Sequence, residues 1–295
     1  MKQYLDLLDR IVKEGVWVEN KRTKSKCLTI INHDLTLTSD QFPLVTTRKS
    51  YYKAAIGEIL GYIRGYTKTS QFHELDVKTW DANAQNPDWL DNPNHKFMNE
   101  KYGDLGLIYG AVGNQIHKVK VKNKKLALSD ELVSGHTLKD IVDNLTNDND
   151  TRGLIWNFWN PMYFELGCLR PCMFMHQFSL LGDTVHLNTT QRSQDVPLGG
   201  NFNMIQAWFL LWLVCQLSGK KQGNVYHKIV NAHIYENQLD QVKEQVSRTP
   251  FDPPTFKYVG KEKITWDYVL NRMHPNDFVV ENYQYHPPIK FEFTV

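Results

Sequence analysis

Hydrophobic positions recur every three or four residues in five stretches of the chain, and five other stretches are alternating or rich in aromatic residues. The first pattern is typical of helices and the second of strands with a buried face. Helices are predicted at Lys2–Lys13, Lys49–Arg64, Leu138–Leu145, Phe202–Leu217 and Glu236–Gln245. Strands are predicted at Cys27–Leu37, Gly153–Trp159, Phe174–Leu181, Thr184–Thr190 and Asn224–His233. Leu181-Gly182-Asp183 is a hairpin signal that joins the third and fourth of these strands.

The longest apolar stretch, Ala207–Leu217, is too short to span a bilayer and is typical of a helix buried on all sides. Asn201 and Asn203 mark its start, and Ser218-Gly219 marks its end. No internal repeat or low-complexity linker divides the chain. The sequence therefore predicts a single α+β domain over residues 1–295.

Composition favours a small-molecule partner. Of 295 residues, 41% are hydrophobic and 12% aromatic, and the net charge is +2, which is too mild for a protein that wraps nucleic acid. The Lys/Val alternation at His117–Lys125 is interpreted as a solvated hairpin or loop rather than a polyanion contact. Four cysteines and no apolar N-terminal signal favour free thiols in a reducing cytoplasm, with no membrane segment.

One short span combines a thiol, an anion clamp and an amide. Leu169-Arg170-Pro171-Cys172 is followed by Gln191-Arg192-Ser193-Gln194-Asp195 and then by Leu198-Gly199-Gly200-Asn201-Phe202-Asn203. A thiolate attacks electron-poor carbon, an arginine–serine pair grips phosphate, and an asparagine offers a donor and an acceptor to a pyrimidine edge. Covalent chemistry on a nucleotide base is therefore indicated. A metal site at Cys168, Cys172 and His176 is disfavoured because no second close pair of ligands completes it.

In these residues the chain resembles the thymidylate synthase family. The similarity covers nearly the whole chain and includes the following segments: Met1-Lys2-Gln3-Tyr4, Phe42-Pro43-Leu44-Val45-Thr46-Thr47, Glu58, Trp80-Asp81, Tyr109-Gly110, His233-Ile234-Tyr235, His286-Pro287-Pro288-Ile289-Lys290 and Val295. The resemblance implies a mixed sheet packed by helices around a long buried helix, with one sheet face used to form a homodimer. It implies dUMP as substrate, 5,10-methylenetetrahydrofolate as cosubstrate, and neither a metal nor nucleic acid.

The resemblance also implies a role for each site residue. Cys172 would add to C6 of uracil, Asn203 would bond O4 and N3–H, and Glu58 would organise proton movements with Tyr109. Arg22, Arg192 and Ser193 would bind the phosphate, and Arg152 would reach it from the other subunit. Asp195, His233 and Tyr235 would bind the rest of the nucleotide. The folate would contact Trp80, Gly199, Phe202 and Val295.

Without the family context, several of these residues have simpler explanations. Asn203 caps the following helix, Glu58 is a buried carboxylate paired to a neighbour, and Arg192-Ser193 is a surface turn. His233 and Tyr235 pack at the edge of the core, and Trp80 is a core aromatic.

The implied reaction has two possible products. After Cys172 adds to C6, C5 takes a one-carbon unit from the folate, and the resulting methylene accepts hydride to give dTMP or water to give 5-hydroxymethyl-dUMP. The chain departs from the family pattern at Lys24, Val112, Asn114, Met173 and Gly200. Several of these departures are expected near the folate side of the cavity, so the hydroxymethyl product stays open beside the favoured methyl product. A non-catalytic nucleotide- or RNA-binding relative is disfavoured by Cys172, and a thiol redox protein by the absence of a Cys-x-x-Cys pair.

Overall fold

The computed structural model describes residues 2–20, 24–114, 116–122, 125–133 and 136–292. Short helices surround a larger sheet and one long central helix. The α-helices are α1 Lys2–Glu14, α2 Tyr52–Ile63, α3 Thr69–His73, α4 Asp81–Ala84, α5 Pro87–Leu90, α6 His95–Lys101, α7 Tyr109–Gly113, α8 Thr137–Thr146, α9 Asn201–Ser218, α10 Leu239–Ser247 and α11 Trp266–Asn271. Single turns of 3₁₀-helix lie at Pro161–Tyr163, Glu236–Gln238 and Pro275–Asp277, and a π-helical turn at Val196–Gly200 leads into α9.

The main sheet is mixed. Its strands are β1 Val16–Asn20, β2 Ser25–Leu37, β5 Ile155–Asn157, β6 Met173–Leu181, β7 Thr184–Gln191, β8 Gln194–Asp195 and β9 Lys221–Tyr235, with two-stranded sheets formed by β3 Ile116–Lys122 with β4 Lys125–Val133 and by β10 Thr255–Tyr258 with β11 Phe278–Glu281. The order is β1-β2-β9-β7-β6-β5, with β8 pairing β9. β9 runs parallel to β7 and β8, and the other pairs are antiparallel.

Helix α9 is buried along most of its length. Its apolar side chains occur on every face, so the helix is stable only when neighbours cover it all round. Gly219, in the left-handed region at φ 71°, ends the helix. The stretch Val196–Ser218 is long and apolar enough to cross a membrane by length and composition, but 72% of its most apolar window is buried inside the protein. It is therefore a helix of the protein core.

The predicted helices and strands are confirmed, with shifts at their ends. The helix predicted at Lys49–Arg64 begins three residues later, and the first turn of Glu236–Gln245 is 3₁₀. The segment predicted as a solvated hairpin or loop, His117–Lys125, contains most of β3 and the first residue of β4, which pair antiparallel. The short helices α3 to α6 and the β10–β11 pair were not predicted, because each is too short to show a periodicity.

The topology brings the predicted chemistry to one end of the sheet. Cys172 immediately precedes β6 and Arg192 immediately follows β7, and the Arg192 backbone N–H donates to the Cys172 carbonyl at 2.9 Å. The π-turn and the start of α9 continue from this point, and the end of β9 lies beside β8. Segments far apart in sequence therefore meet around one space.

Candidate active site

A large cavity, with a volume of about 1390 Å³, opens at this end of the sheet. Apolar and polar side chains both line it. The sequence-predicted residues that contribute to its wall are Glu58, Tyr109, Cys172, Arg192, Ser193, Asp195, Gly199, Phe202, Asn203, His233 and Tyr235. The fold therefore gathers most of the predicted site, whereas Arg22 and Val295 lie outside the described residues.

Cys172 is held beside a positive charge. Its backbone N–H donates to the Tyr109 hydroxyl oxygen at 3.0 Å, and Nη2 of Arg192 donates to its Sγ at 3.7 Å. The guanidinium is fixed in turn by the carbonyls of Pro171 and Arg170, at 2.9 and 3.0 Å. The sulfur is thus half-buried, faces the cavity and has a cationic donor next to it, which are the features of a reactive cysteine.

Two other cysteines lie in different surroundings. Burial raises the pKa of Cys168 and of Cys215 to about 12. Both therefore stay protonated at neutral pH, and a protonated thiol is a poor nucleophile. Cys172 differs from both in having the Arg192 guanidinium beside its sulfur.

Glu58 is a buried carboxyl group on α2 that accepts hydrogen bonds from three side chains. Its Oε1 accepts hydrogen bonds from the Tyr62 hydroxyl at 2.7 Å and from Gln206 Nε2 at 2.9 Å, and its Oε2 accepts one from Thr79. Burial raises the pKa of Glu58, and the three hydrogen bonds oppose that rise. A carboxyl group with a raised pKa facing a cavity is suited to accept and return a proton.

Tyr109 forms the floor between the carboxylate and the cysteine. Its backbone has φ 36°, in the left-handed region that few residues other than glycine adopt. Its ring stacks on Tyr62 with a centroid separation of 4.5 Å, and burial raises its pKa well above the usual range. Tyr109 therefore keeps its proton, and the strained backbone is held by packing and by the bond from Cys172 N–H.

Asn203 lies inside α9 and does not cap it. The cap position is Gly200, and α9 begins at Asn201, so the simpler explanation of Asn203 as a helix cap is wrong. Its Oδ1 accepts a bond from Gln191 Nε2 at 2.9 Å, and its Nδ2 donates to Gln206 Oε1 at 3.0 Å. The Asn203 oxygen can accept one more hydrogen bond and its NH₂ can donate one more, which leaves both available to a ligand in the cavity.

The residues predicted to hold the nucleotide take several environments. Burial raises the pKa of Asp195 to about 6, and its carboxylate accepts from Leu198 N–H at 3.2 Å and Gln238 Nε2 at 3.0 Å. Burial lowers the pKa of His233 to about 4, so its imidazole is neutral near pH 7. Arg152 is exposed at φ 58° and does not line the cavity of its own chain.

The position of Trp80 bears on the folate contact that the resemblance implies for it. Trp80 lies behind the cavity wall, where its ring packs against Tyr62 and Tyr109 at 6.2 and 5.6 Å, rather than facing the cavity. The Trp80 side chain is 3% exposed, because it packs among neighbouring aromatic rings.

The departures from the family pattern also lie elsewhere. Lys24, Val112, Asn114, Met173 and Gly200 all belong to the described part of the chain, and none of them lines the cavity. Asn114 illustrates the reason: its Nδ2 donates to the carbonyls that end α2, and its Oδ1 accepts from the indole of Trp156. Asn114 therefore links the end of α2 to β5 outside the cavity.

Several residues that complete the site were not predicted. Tyr62, Thr79, Gln191 and Gln206 bond directly to Glu58 or Asn203. A signal existed for Gln206, because it follows Asn203 by three residues and therefore shares its face of an otherwise apolar helix.

A half-buried thiol beside a guanidinium, in one cavity with a buried carboxyl group and an oriented amide, is an arrangement typical of enzymes that use a cysteine nucleophile. The thymidylate synthase family model matches residues 2–295. The chain is 52% identical to the thymidylate synthases of Shewanella frigidimarina (strain NCIMB 400) and Vibrio cholerae serotype O1 (strain ATCC 39541), over 301 aligned positions that cover all of each protein. It is 50% identical, again over full length, to that of Marinomonas sp. (strain MWYL1). The protein belongs to the thymidylate synthase family.

Proposed function

We propose that the protein catalyses the reductive methylation of dUMP to dTMP, with 5,10-methylenetetrahydrofolate as cosubstrate. The observation that carries the proposal is the meeting of Cys172, Arg192, Asn203 and Glu58 in one cavity. Each supplies one requirement of a reaction at C5 of uracil: a nucleophile, a cation near it, a base-reading amide and a proton acceptor. Relatives that match over their full length carry the name thymidylate synthase.

Cys172 begins the reaction by bonding through Sγ to C6 of uracil, which turns C5 into a carbon nucleophile. Negative charge then develops on O4, where the Asn203 amide can donate. Because Gln191 and Gln206 already hold that amide, no reorganisation is needed as the charge appears.

Glu58 and Tyr109 manage the protons. The new bond at C5 leaves one hydrogen there that must be removed before Cys172 can be expelled. Glu58 is the group with the raised pKa that can receive it through an ordered water, and Tyr109 keeps its hydroxyl proton available as a donor.

The phosphate and sugar are assigned to the polar rim. Arg192 and Ser193, with Arg22, would bind the dianionic phosphate through charge-assisted hydrogen bonds. His233 and Tyr235 would hold the deoxyribose hydroxyl, and a neutral imidazole suits such a contact. Asp195 braces the turn before α9 through its bond from Leu198 N–H, and so positions the neighbouring wall.

The cosubstrate supplies the one-carbon unit and the hydride. Gly199 and Phe202 line the cavity beside the pyrimidine-reading amide, where a planar ring system would stack. Val295 is the further residue assigned to this contact. The cavity is large enough for nucleotide and folate together, because pockets that hold one drug-sized ligand occupy roughly 300–1,000 Å³.

A homodimer completes the proposed site. The outer side of the sheet exposes Val16 and Val18 on β1, Ile31 on β2, and Tyr226 and Val230 on β9, a set of apolar side chains that a second copy could cover. Arg152, which is exposed and away from its own cavity, would reach the phosphate site of the partner. We assign the enzyme to the cytoplasm, where its free thiols stay reduced.

The alternative product, 5-hydroxymethyl-dUMP, depended on departures expected beside the folate. Since Lys24, Val112, Asn114, Met173 and Gly200 do not line the cavity, they give water no route to the methylene.

The test is the product itself. Purified protein with dUMP and 5,10-methylenetetrahydrofolate should give dTMP by mass spectrometry and one dihydrofolate per turnover by absorbance. Cys172→Ser should abolish both signals, whereas Cys168→Ser, a matched change on the same cavity wall, should keep them. Formation of 5-hydroxymethyl-dUMP with release of tetrahydrofolate would overturn the proposal.

A further inference from the structure

Gln206 is a polar residue buried in the apolar helix α9, and both ends of its amide are engaged. Its side chain is 1% exposed and does not line the cavity. Its Nε2 donates to Glu58 Oε1 at 2.9 Å, and its Oε1 accepts from Asn203 Nδ2 at 3.0 Å. One side chain therefore connects the proton-handling carboxyl group to the base-reading amide.

The direction of this connection is set by Glu58. Its Oε1 already accepts from the Tyr62 hydroxyl, so the amide group facing it must be a donor, and Gln206 must present Nε2 there. The side-chain carbonyl of Gln206 consequently faces Asn203, so Asn203 must donate a hydrogen bond to it through Nδ2. The Asn203 oxygen is thereby turned toward Gln191 Nε2.

Gln191 holds the oxygen of the Asn203 amide and favours the same orientation of that amide. Its Nε2 donates both to Asn203 Oδ1 and to the Ser193 carbonyl, at 2.9 and 3.1 Å. Its Oε1 accepts from Gln194 Nε2 and lies 2.9 Å from His227 Nε2. A rotation of the Gln191 amide would therefore oppose donors to donors and leave the Ser193 carbonyl without its bond.

Amide orientation matters because uracil and cytosine differ by an exchange of donor and acceptor. Uracil presents an acceptor at O4 and a donor at N3–H, whereas cytosine presents an amino donor at position 4 and an acceptor at N3. An asparagine amide rotated by half a turn exchanges its oxygen and nitrogen. One orientation of Asn203 therefore complements uracil, and the opposite orientation complements cytosine.

We propose that Gln206 is a positioning residue that locks the Asn203 amide in the orientation that pairs with uracil and rejects cytosine. The inference rests on the proposed function and names the determinant of its base specificity. Rotation of Asn203 would set its oxygen against Gln206 Oε1 and its NH₂ against Gln191 Nε2, and Gln206 cannot follow because its own oxygen would then meet Glu58 Oε1.

The test compares binding of dUMP and dCMP, without folate, by calorimetry. The variants are Gln206→Leu and Gln206→Met, which remove the amide but keep a buried side chain of similar size. Each should lower the preference for dUMP over dCMP by about tenfold, the change expected from one lost buried hydrogen bond. Gln245→Leu is the matched control, because Gln245 is also fully buried on a helix but bonds to Thr47, and its preference should equal that of the wild type.

The outcomes separate the inference from the proposed function. If folded Gln206→Leu or Gln206→Met, checked by circular dichroism, keeps the wild-type preference or weakens both nucleotides equally, Gln206 does not lock the amide. If the wild-type protein itself fails to bind dUMP, the proposed function fails. Gln206→Met, which has the same unbranched length as glutamine, provides the reading if Gln206→Leu does not fold.

Discussion

Replacement of Glu58 by glutamine should make the protein more stable at neutral pH while it removes catalysis. The change keeps the shape of the side chain and all three of its hydrogen bonds. The new amide oxygen can accept from Tyr62 and Gln206, and the new NH₂ can donate to the Thr79 hydroxyl. The variant therefore removes the ionisable group and little else.

The pH dependence follows from the raised pKa of Glu58, whose ordinary value is 4.5. Between pH 4.5 and the higher pKa of the folded protein, the native state keeps a proton that the unfolded chain has released. The free energy of unfolding of the wild type therefore falls as the pH rises through this interval and stays lower above it. Glu58→Gln does not lose stability in this way. The difference in free energy of unfolding between the variant and the wild type should therefore be smallest near pH 4, increase above pH 4.5 and become constant above the pKa of the folded protein.

The expected size follows from linkage, since each pKa unit between the folded and the unfolded chain corresponds to about 1.4 kcal/mol of stability. For a chain of this length, each kcal/mol corresponds to a change in Tm of roughly 2 °C. Loss of the proton acceptor should lower kcat by about 10²- to 10⁴-fold. The measurements are Tm by calorimetry from pH 4 to 8 and initial rates of dihydrofolate formation. A Tm difference that does not change with pH, or a kcat near that of the wild type, would refute the reasoning.

Three further predictions concern other parts of the site. Asn203→Asp should lose turnover of dUMP and gain turnover of dCMP, because a protonated carboxyl group can present the hydrogen-bond pattern that cytosine needs; an unchanged preference in a competition assay would contradict the base-reading role. Tyr109→Phe should lower the free energy of unfolding by about 1–3 kcal/mol in urea titrations, since the Cys172 N–H loses its acceptor; an unchanged midpoint would show that water replaces the hydroxyl. Mixed dimers of Cys172→Ser and Arg152→Glu chains should regain activity in one of their two sites, and no recovery after verified subunit exchange would argue against a shared phosphate site.

Periodicity predicted the larger elements because each has enough residues to display its pattern. Helix α9 and the β6–β7 hairpin are examples, and their positions place Cys172 and Asn203 close together. The contacts around Glu58 were not predictable in this way, because Gln206 lies 148 residues further along the chain. No local pattern encodes a partner at that distance. The sequence also does not show whether a side chain faces the cavity or the core. Trp80 is an example, because its ring packs against Tyr109 on the core side of the cavity wall.

The first turns of α9 explain why recognition and folding depend on the same residues. A helix buried on all sides cannot leave an amide without partners, since an unsatisfied buried polar group costs about 1–3 kcal/mol. Asn201 meets this requirement by donating to the Pro43 carbonyl at 2.7 Å and accepting from the Val45 N–H at 3.3 Å, which ties down the loop before α2. Asn203 and Gln206 meet it through the site. Because the core requires these bonds before any nucleotide arrives, the Asn203 amide, which we propose reads the base, is already oriented, and binding incurs little further ordering of that amide.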